Sequence, residues 1–184
     1  MGPSSDEGHF TVLCVCRFYA RKRVDLLLRA AAMLCGRIPE LEIRIVGGGM
    51  EEARLRSLWR ELRLEGVVKW IGNATQRQLA GEYRRAGVFC LPSVQEGFGI
   101  VFLEAMAAGK PIVAARSAAV PEVVSHGRLV EPDNAEALAA AIETLYFDSE
   151  LRMRLGAEGL QAVRQFEMRR VARSFLSSIS RLCA

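Results

Sequence analysis

The sequence contains no D-x-D triplet, no C-x-x-C pair, no G-x-S-x-G elbow and no apolar run near membrane-spanning length, and it carries only two histidines. Each shortage removes a class of chemistry. Without paired carboxylates at D-x-D spacing, a nucleotide-bound divalent cation has no obvious seat, so no metal is expected. Five cysteines are present (Cys14, Cys16, Cys35, Cys90, Cys183), but none falls at a zinc-site spacing. Cys14 and Cys16 alternate on a strand and Cys35 lies on an apolar helical face, so they read as buried thiols of a reducing, cytoplasmic compartment. With His9 in a polar tail, His126 beside a loop glycine and no nucleophile elbow, a hydrolase triad cannot be assembled; His126 reads as structural or solvent-facing. Gly47-Gly48-Gly49 follows a strand, yet Glu52 stands where the dinucleotide fingerprint needs its third glycine, so the triplet reads as a tight turn. No signal-peptide pattern opens the sequence, and no candidate span crosses a membrane.

Charge excludes as well. There are 25 basic and 21 acidic residues, a net charge of +4. No basic run reaches five residues and no aromatic stacking stripe accompanies the arginines, which argues against nucleic acid as a partner.

What is present is a 184-residue chain, 51% hydrophobic, enough for one packed domain. Residues 1–9 are polar and turn-rich, a linker or tail, and residues 10–184 form the domain. Short apolar runs alternate with helical periodicity, the pattern of a doubly wound, Rossmann-like parallel α/β sheet. Strands are predicted at Phe10–Cys16, Glu42–Val46, Val67–Ile71, Val88–Leu91, Pro111–Ala114 and Arg128–Val130. Between them, Val24, Leu27, Leu28, Ala31 and Leu34 mark one helix, and Leu55, Leu58, Trp59 and Leu62 another. Thr75 with Gln78 reads as a capping box for a helix to about Ala86, and Asp133 with Glu136 as the start of one running to about Tyr146. Two further helices are expected from Ser149 to Cys183, the last with Val171, Phe175, Ile179 and Leu182 facing inward.

The most informative stretch is Glu96-Gly-Phe-Gly-Ile-Val-Phe-Leu-Glu104. It follows a strand and opens directly into a helix, whose first turn offers unpaired N–H groups and the positive end of a dipole. Glu96 lies in loop chemistry with no packing rationale, and Gly97 and Gly99 permit close backbone approach. Glu104 could be a plain dipole-favoured acid; together with Glu96 it could instead accept hydrogen bonds from sugar hydroxyls while the amides hold phosphate. Arg17 ends the first strand and Lys22 follows it. If that strand is central, both cations share the carboxyl edge of the sheet with the Glu96–Glu104 loop, where such folds bind ligands. Two fixed cations and a helix N-terminus suit a diphosphate and the charge it develops on leaving.

These residues together resemble the C-terminal half of a GT-B-fold, retaining glycosyltransferase of group 1, also called family 4. The resemblance runs from about Thr11 to Arg173. It rests on Arg17 and Lys22 with Val-Asp-Leu-Leu (24–27), Ile-Val-Gly-Gly-Gly (45–49), Val-Lys-Trp-Ile-Gly (68–72), Leu-Pro-Ser (91–93), the E-x7-E segment with Ala-Met-Ala-Ala-Gly-Lys-Pro, Val-Pro-Glu-Val-Val (120–124) and Leu-Val-Glu-Pro (129–132). It implies that Arg17 and Lys22 hold the donor diphosphate and that backbone amides from Phe98 through Gly99 and Ile100 to Val101 contact phosphate and sugar. Glu104 would take the ribose, Glu96 the transferred hexose, and the turn Ile71-Gly72-Asn73 would lie against the base. Transfer would retain configuration without a metal, using a UDP- or GDP-sugar as substrate. Cys16 and Arg23 depart from the pattern, standing where the family prefers glycine; Arg23 would add a third cation or disturb the helix start. Ala118-Ala119 replaces a frequent glycine pair.

A GT-B enzyme has two such halves, so the acceptor domain would be supplied in cis or in trans. Alone, the chain would bind donor and transfer little. The rival reading is a non-catalytic nucleotide-sugar-binding or partner-docking module. A third is peripheral membrane contact through Arg164, Arg169, Arg170 and Arg173, set against their plain reading as a solvated face.

Overall fold

A computed structural model describes residues 8–166. Six parallel strands form one sheet in the order β3-β2-β1-β4-β5-β6, namely β1 (Phe10–Val15), β2 (Leu41–Val46), β3 (Val68–Gly72), β4 (Val88–Leu91), β5 (Ile112–Ala115) and β6 (Arg128–Val130). The helices are α1 (Val24–Leu34), α2 (Glu52–Glu61), α3 (Gln76–Arg85), α4 (Ile100–Ala107), α5 (Val120–Val123), α6 (Ala135–Phe147) and α7 (Ser149–Ala162). Sheets of this kind, covered by helices, bury their central strands on both faces, which is why β4 and β5 read as unbroken apolar runs and β1 is interrupted only by Thr11. β1 is central, and the order reverses between β1 and β4. A crevice therefore opens at the carboxyl ends of those two strands, where a ligand can enter.

The core is built on Phe18, Phe89 and Phe102, each essentially inaccessible to solvent. Phe89 meets Phe102 edge to face with ring centres 5.9 Å apart, which fixes β4 against α4. α1 packs on α6 and α2, and α4 on α7.

One buried cluster is polar. Arg44 on β2 makes a forked pair with Glu82 of α3, Nε to Oε2 at 2.5 Å and Nη2 to Oε1 at 2.8 Å, and its Nη1 donates to Glu42 at 3.1 Å. Lys69 of β3 closes the group by pairing with Glu42. Two cations and two carboxylates thus neutralise one another and tie α3 to the outer strands.

Local signals explain several element ends. Thr75 caps α3 in a capping box, its backbone N–H donating to Gln78 Oε1 at 2.9 Å. Asp133 does not cap α6. It lies at φ 59°, and Asn134 takes the cap by accepting from the Ala137 N–H at 2.8 Å. An aspartate tolerates the left-handed turn, and the next side chain then aims at the free amides. β1 stops at Val15, one residue short of expectation, because the chain leaves the sheet to carry Arg17. β5 starts at Ile112 rather than Pro111, since proline lacks the N–H a ladder needs. α5 is a four-residue turn that periodicity alone does not reveal. After α7 a short 3-10 segment runs from Val163 to Phe166 and includes Arg164. The expected final helix, with Val171, Phe175, Ile179 and Leu182, lies outside the described residues, as do Arg169, Arg170, Arg173 and Cys183.

Candidate functional site

The loop after β1 is set by close backbone packing. Phe18 N–H donates to the Gly48 carbonyl at 3.0 Å, and Glu51 N–H donates to the Phe18 carbonyl at 3.0 Å. Gly47, at φ 126°, lies so close to the Cys16 carbonyl that any side chain would overlap it, and a Cβ on Gly49 would sit 2.8 Å from the Phe18 nitrogen. The glycine triplet is therefore a tight crossing point that fixes the segment bearing Arg17.

From there the chain makes a 3-10 turn over Ala20–Lys22, with Arg21 stacked 4.6 Å from the centre of the Tyr19 ring. The loop after β4 is bonded to this turn: Val94 N–H donates to the Arg21 carbonyl at 2.9 Å, and the fully buried Ser93 hydroxyl lies 3.2 Å from the same oxygen. The two loops, more than 70 residues apart in sequence, form one wall. Across it Lys22 pairs directly with Glu96, their side chains only 14% and 9% exposed. Shielded from water, the two charges attract one another more strongly than at the surface, at a cost in desolvation, and each fixes the other's position.

Beside the pair lies a cavity of about 360 Å³. Of the sequence-derived site residues it is lined by Arg17, Lys22, Glu96, Phe98, Gly99, Ile100 and Val101. Arg17 is exposed, a cation presented to whatever enters. Gly99 opens α4 at φ 65°, and no side chain caps the helix. The free amides of its first turn, with their partial positive charge, open into the same cavity. The wall thus offers two cations, helix amides and one carboxylate, a set suited to an anionic, hydroxyl-bearing ligand.

Glu104 lies elsewhere. Just over one turn along α4, it borders a second, largely apolar cavity of about 420 Å³ between α3 and α4. Its Oε2 accepts from the Tyr83 hydroxyl at 2.8 Å. Burial and that hydrogen bond push the Tyr83 phenol well above its usual pKa, so it stays a donor at any physiological pH. Gly97 lies in the exposed loop with open space around its Cα. Ile71 and Gly72 end β3 and Asn73 follows it; the Gly72 carbonyl accepts from the Gly47 N–H at 2.8 Å, and the three line neither cavity.

Arg23 is not a third cation for the site. It starts α1 at φ 49°, which explains why glycine would be favoured there, and its guanidinium is paired with Asp25 at 3.3 Å and with Asp133. Cys16 does line the first cavity, as its place before Arg17 suggests. His126 is remote and partly exposed, 3.7 Å from Glu158. Sequence reasoning missed Tyr19, Arg21 and Tyr83. Only the Tyr83 position carried a signal, an aromatic on the inward face of α3.

Comparison with known proteins places the chain among its relatives. A family model described as glycosyl transferases group 1 matches residues 3–162. A D-inositol 3-phosphate glycosyltransferase from Pseudarthrobacter chlorophenolicus is 37% identical over 158 residues, which is 82% of this chain and 38% of that protein. The chain spans less than half the length of the curated relatives it matches. Among solved structures, Anabaena HepE in complex with UDP-glucose superposes with a TM-score of 0.82 at 26% identity, over 94% of this chain and 49% of that one. The C-terminal domain of a group 1 family glycosyl transferase, LpcC from Francisella tularensis, shares the fold with a TM-score of 0.77 at 24% identity, over 85% of this chain and 86% of that one.

Proposed function

The chain belongs to the group 1 glycosyl transferases, and from that premise we propose that it is the donor-binding half of a retaining, two-domain enzyme. The substrate is a nucleotide-diphosphate hexose, linked to UDP or GDP, and the acceptor is held by a second Rossmann-like domain present in cis or as a partner chain. The observation that carries the reading is the single cavity at the sheet's switch point, where Arg17, Lys22, Glu96 and the uncapped start of α4 converge. The match to the donor-complexed HepE fold, and a span of about two fifths of full-length relatives, support it.

In this reading Arg17 and Lys22 take the diphosphate together with the amides of Gly99, Ile100 and Val101. These dipoles and cations are in place before reaction, so they stabilise charge growing on the leaving diphosphate without reorganising. Lys22 shares its charge between Glu96 and phosphate. Glu96 faces the hexose, where a carboxylate stabilises an oxocarbenium-like transition state. Glu104 takes the ribose, and the Ile71–Asn73 turn lies against the base. The phosphate itself assists the acceptor on the face it leaves from, giving retention. No metal is needed, because the two side-chain cations oppose the diphosphate charge. The isolated chain binds nucleotide and transfers no sugar.

Ligand-induced stabilisation tests this. At 100 times its Kd, UDP or GDP should add about 2.7 kcal/mol to stability, or roughly 5–10 °C in Tm for a domain of this size. No shift with any nucleoside diphosphate at millimolar concentration would leave the docking-module reading in its place.

A further inference from the structure

We propose that Tyr83 is a positioning residue of the donor site, holding the Glu104 carboxylate in the rotamer that receives the ribose hydroxyls. The inference rests on the donor reading above and extends it to a residue on a different helix, 21 positions upstream of Glu104.

The Tyr83 hydroxyl lies 2.8 Å from Glu104 Oε2 and 3.3 Å from the Val101 carbonyl oxygen. Its single proton goes to the nearer, charged acceptor, because hydrogen bonds to ionised groups are shorter and stronger. The oxygen also sits against Val101, which lines the cavity containing Lys22 and Glu96. One phenol therefore touches both the residue beside the phosphate cavity and the acid three positions further along the same face of α4. Among the described residues Glu104 Oε1 has no hydrogen bond, so it remains able to accept from a ligand.

The phenol is a firm support. Tyr83 is 5% exposed, and its ring packs on Phe89 with centres 5.9 Å apart. Phe89 in turn packs on Phe102, in the first turn of α4. The same aromatic run that places the start of α4 thus places the hydroxyl. A glutamate on a helix surface otherwise samples several rotamers, and ordering it falls on the binding step. Holding one such side chain in advance corresponds to roughly a threefold to tenfold gain in affinity.

A structural role alone makes a different forecast. If the hydroxyl only joined α3 to α4, Tyr83→Phe would lower stability and weaken every nucleotide equally. A positioning role weakens only ligands that carry ribose hydroxyls.

The test is a calorimetric comparison of UDP with its dideoxyribose analogue, and of GDP with its own, on wild type and Tyr83→Phe. Wild type is expected to prefer the ribose form, and Tyr83→Phe to lose threefold to tenfold of affinity for it while holding the dideoxy form within twofold. Equal loss for both ligands, or no loss for either, overturns the inference while leaving the donor reading intact. Wild type that binds both forms equally also overturns it, a result that does not depend on the variant folding. Wild type that binds neither UDP nor GDP overturns the donor reading and this inference with it.

Discussion

Gly97 and Gly99 flank Phe98 in one loop, and the structure gives them opposite roles. Gly99 stands at φ 65°, where a side chain costs about 1–2 kcal/mol. A Cβ there would also approach Phe102 Cδ2 to 2.6 Å. Phe102 is wholly buried and in contact with Phe89, so its ring cannot swing into solvent. Forcing such a contact costs about 1–3 kcal/mol. The two effects arise at one residue and are relieved by one shift of the helix start, so Gly99→Ala should cost roughly 3 kcal/mol rather than their upper sum. For a domain of this size that is a Tm lower by roughly 6–12 °C. Gly97 has ordinary backbone and nothing within 4 Å of the added carbon, so Gly97→Ala should stay within about 0.5 kcal/mol of wild type. Chemical denaturation of the three proteins reads both values. Because a shifted α4 start also misaims its amides, Gly99→Ala should weaken nucleotide binding more than Gly97→Ala. Equal stability of the two variants would refute the reasoning, since it would mean that neither the left-handed turn nor the Phe102 contact constrains the loop.

Arg44→Ala should destabilise by about 3–5 kcal/mol in the same assay, because it leaves the Glu42 and Glu82 carboxylates buried with one partner, Lys69, between them. The Glu42 carboxyl makes a pH prediction. Burial would raise its pKa, but the hydrogen bonds from Lys69 and Arg44 outweigh that and hold it below the usual glutamate range. A depressed folded-state pKa contributes stability above the unfolded value that is lost as pH falls through the folded one. Stability should therefore drop on acidification below about pH 4.5, and Glu42→Gln should flatten that limb while lowering stability at neutral pH. An acid limb unchanged in Glu42→Gln would contradict the assignment.

How much of this was legible in the sequence depends on the range of the interaction. β4 and β6 were bounded correctly because turn residues and apolar runs mark them locally, and the Thr75–Gln78 box was legible because both partners lie within four residues. The start of α6 was misread by one residue, since Asp133 and Asn134 are both good caps and only the backbone angle decides between them. The central place of β1 was a condition of the site reading, and the strand order meets it. That Lys22 and Glu96 form a pair could not be read, because 74 residues separate them and only the β1–β4 reversal brings them together. The same holds for the Arg44–Glu82 fork and the Tyr83–Glu104 bond. The E-x7-E spacing points to two acids near one helix start; it does not show that they border different cavities, with Val101 lining the one and its carbonyl beside the Tyr83 hydroxyl at the other.

The most direct measurement is a calorimetric titration of UDP and GDP, each beside its nucleoside, into wild type and into the Arg17→Ala, Lys22→Ala double variant. The account predicts that wild type binds a diphosphate far more tightly than the nucleoside and that the double variant loses that preference. A wild-type chain that binds no diphosphate, or a double variant that keeps the full preference, would contradict it.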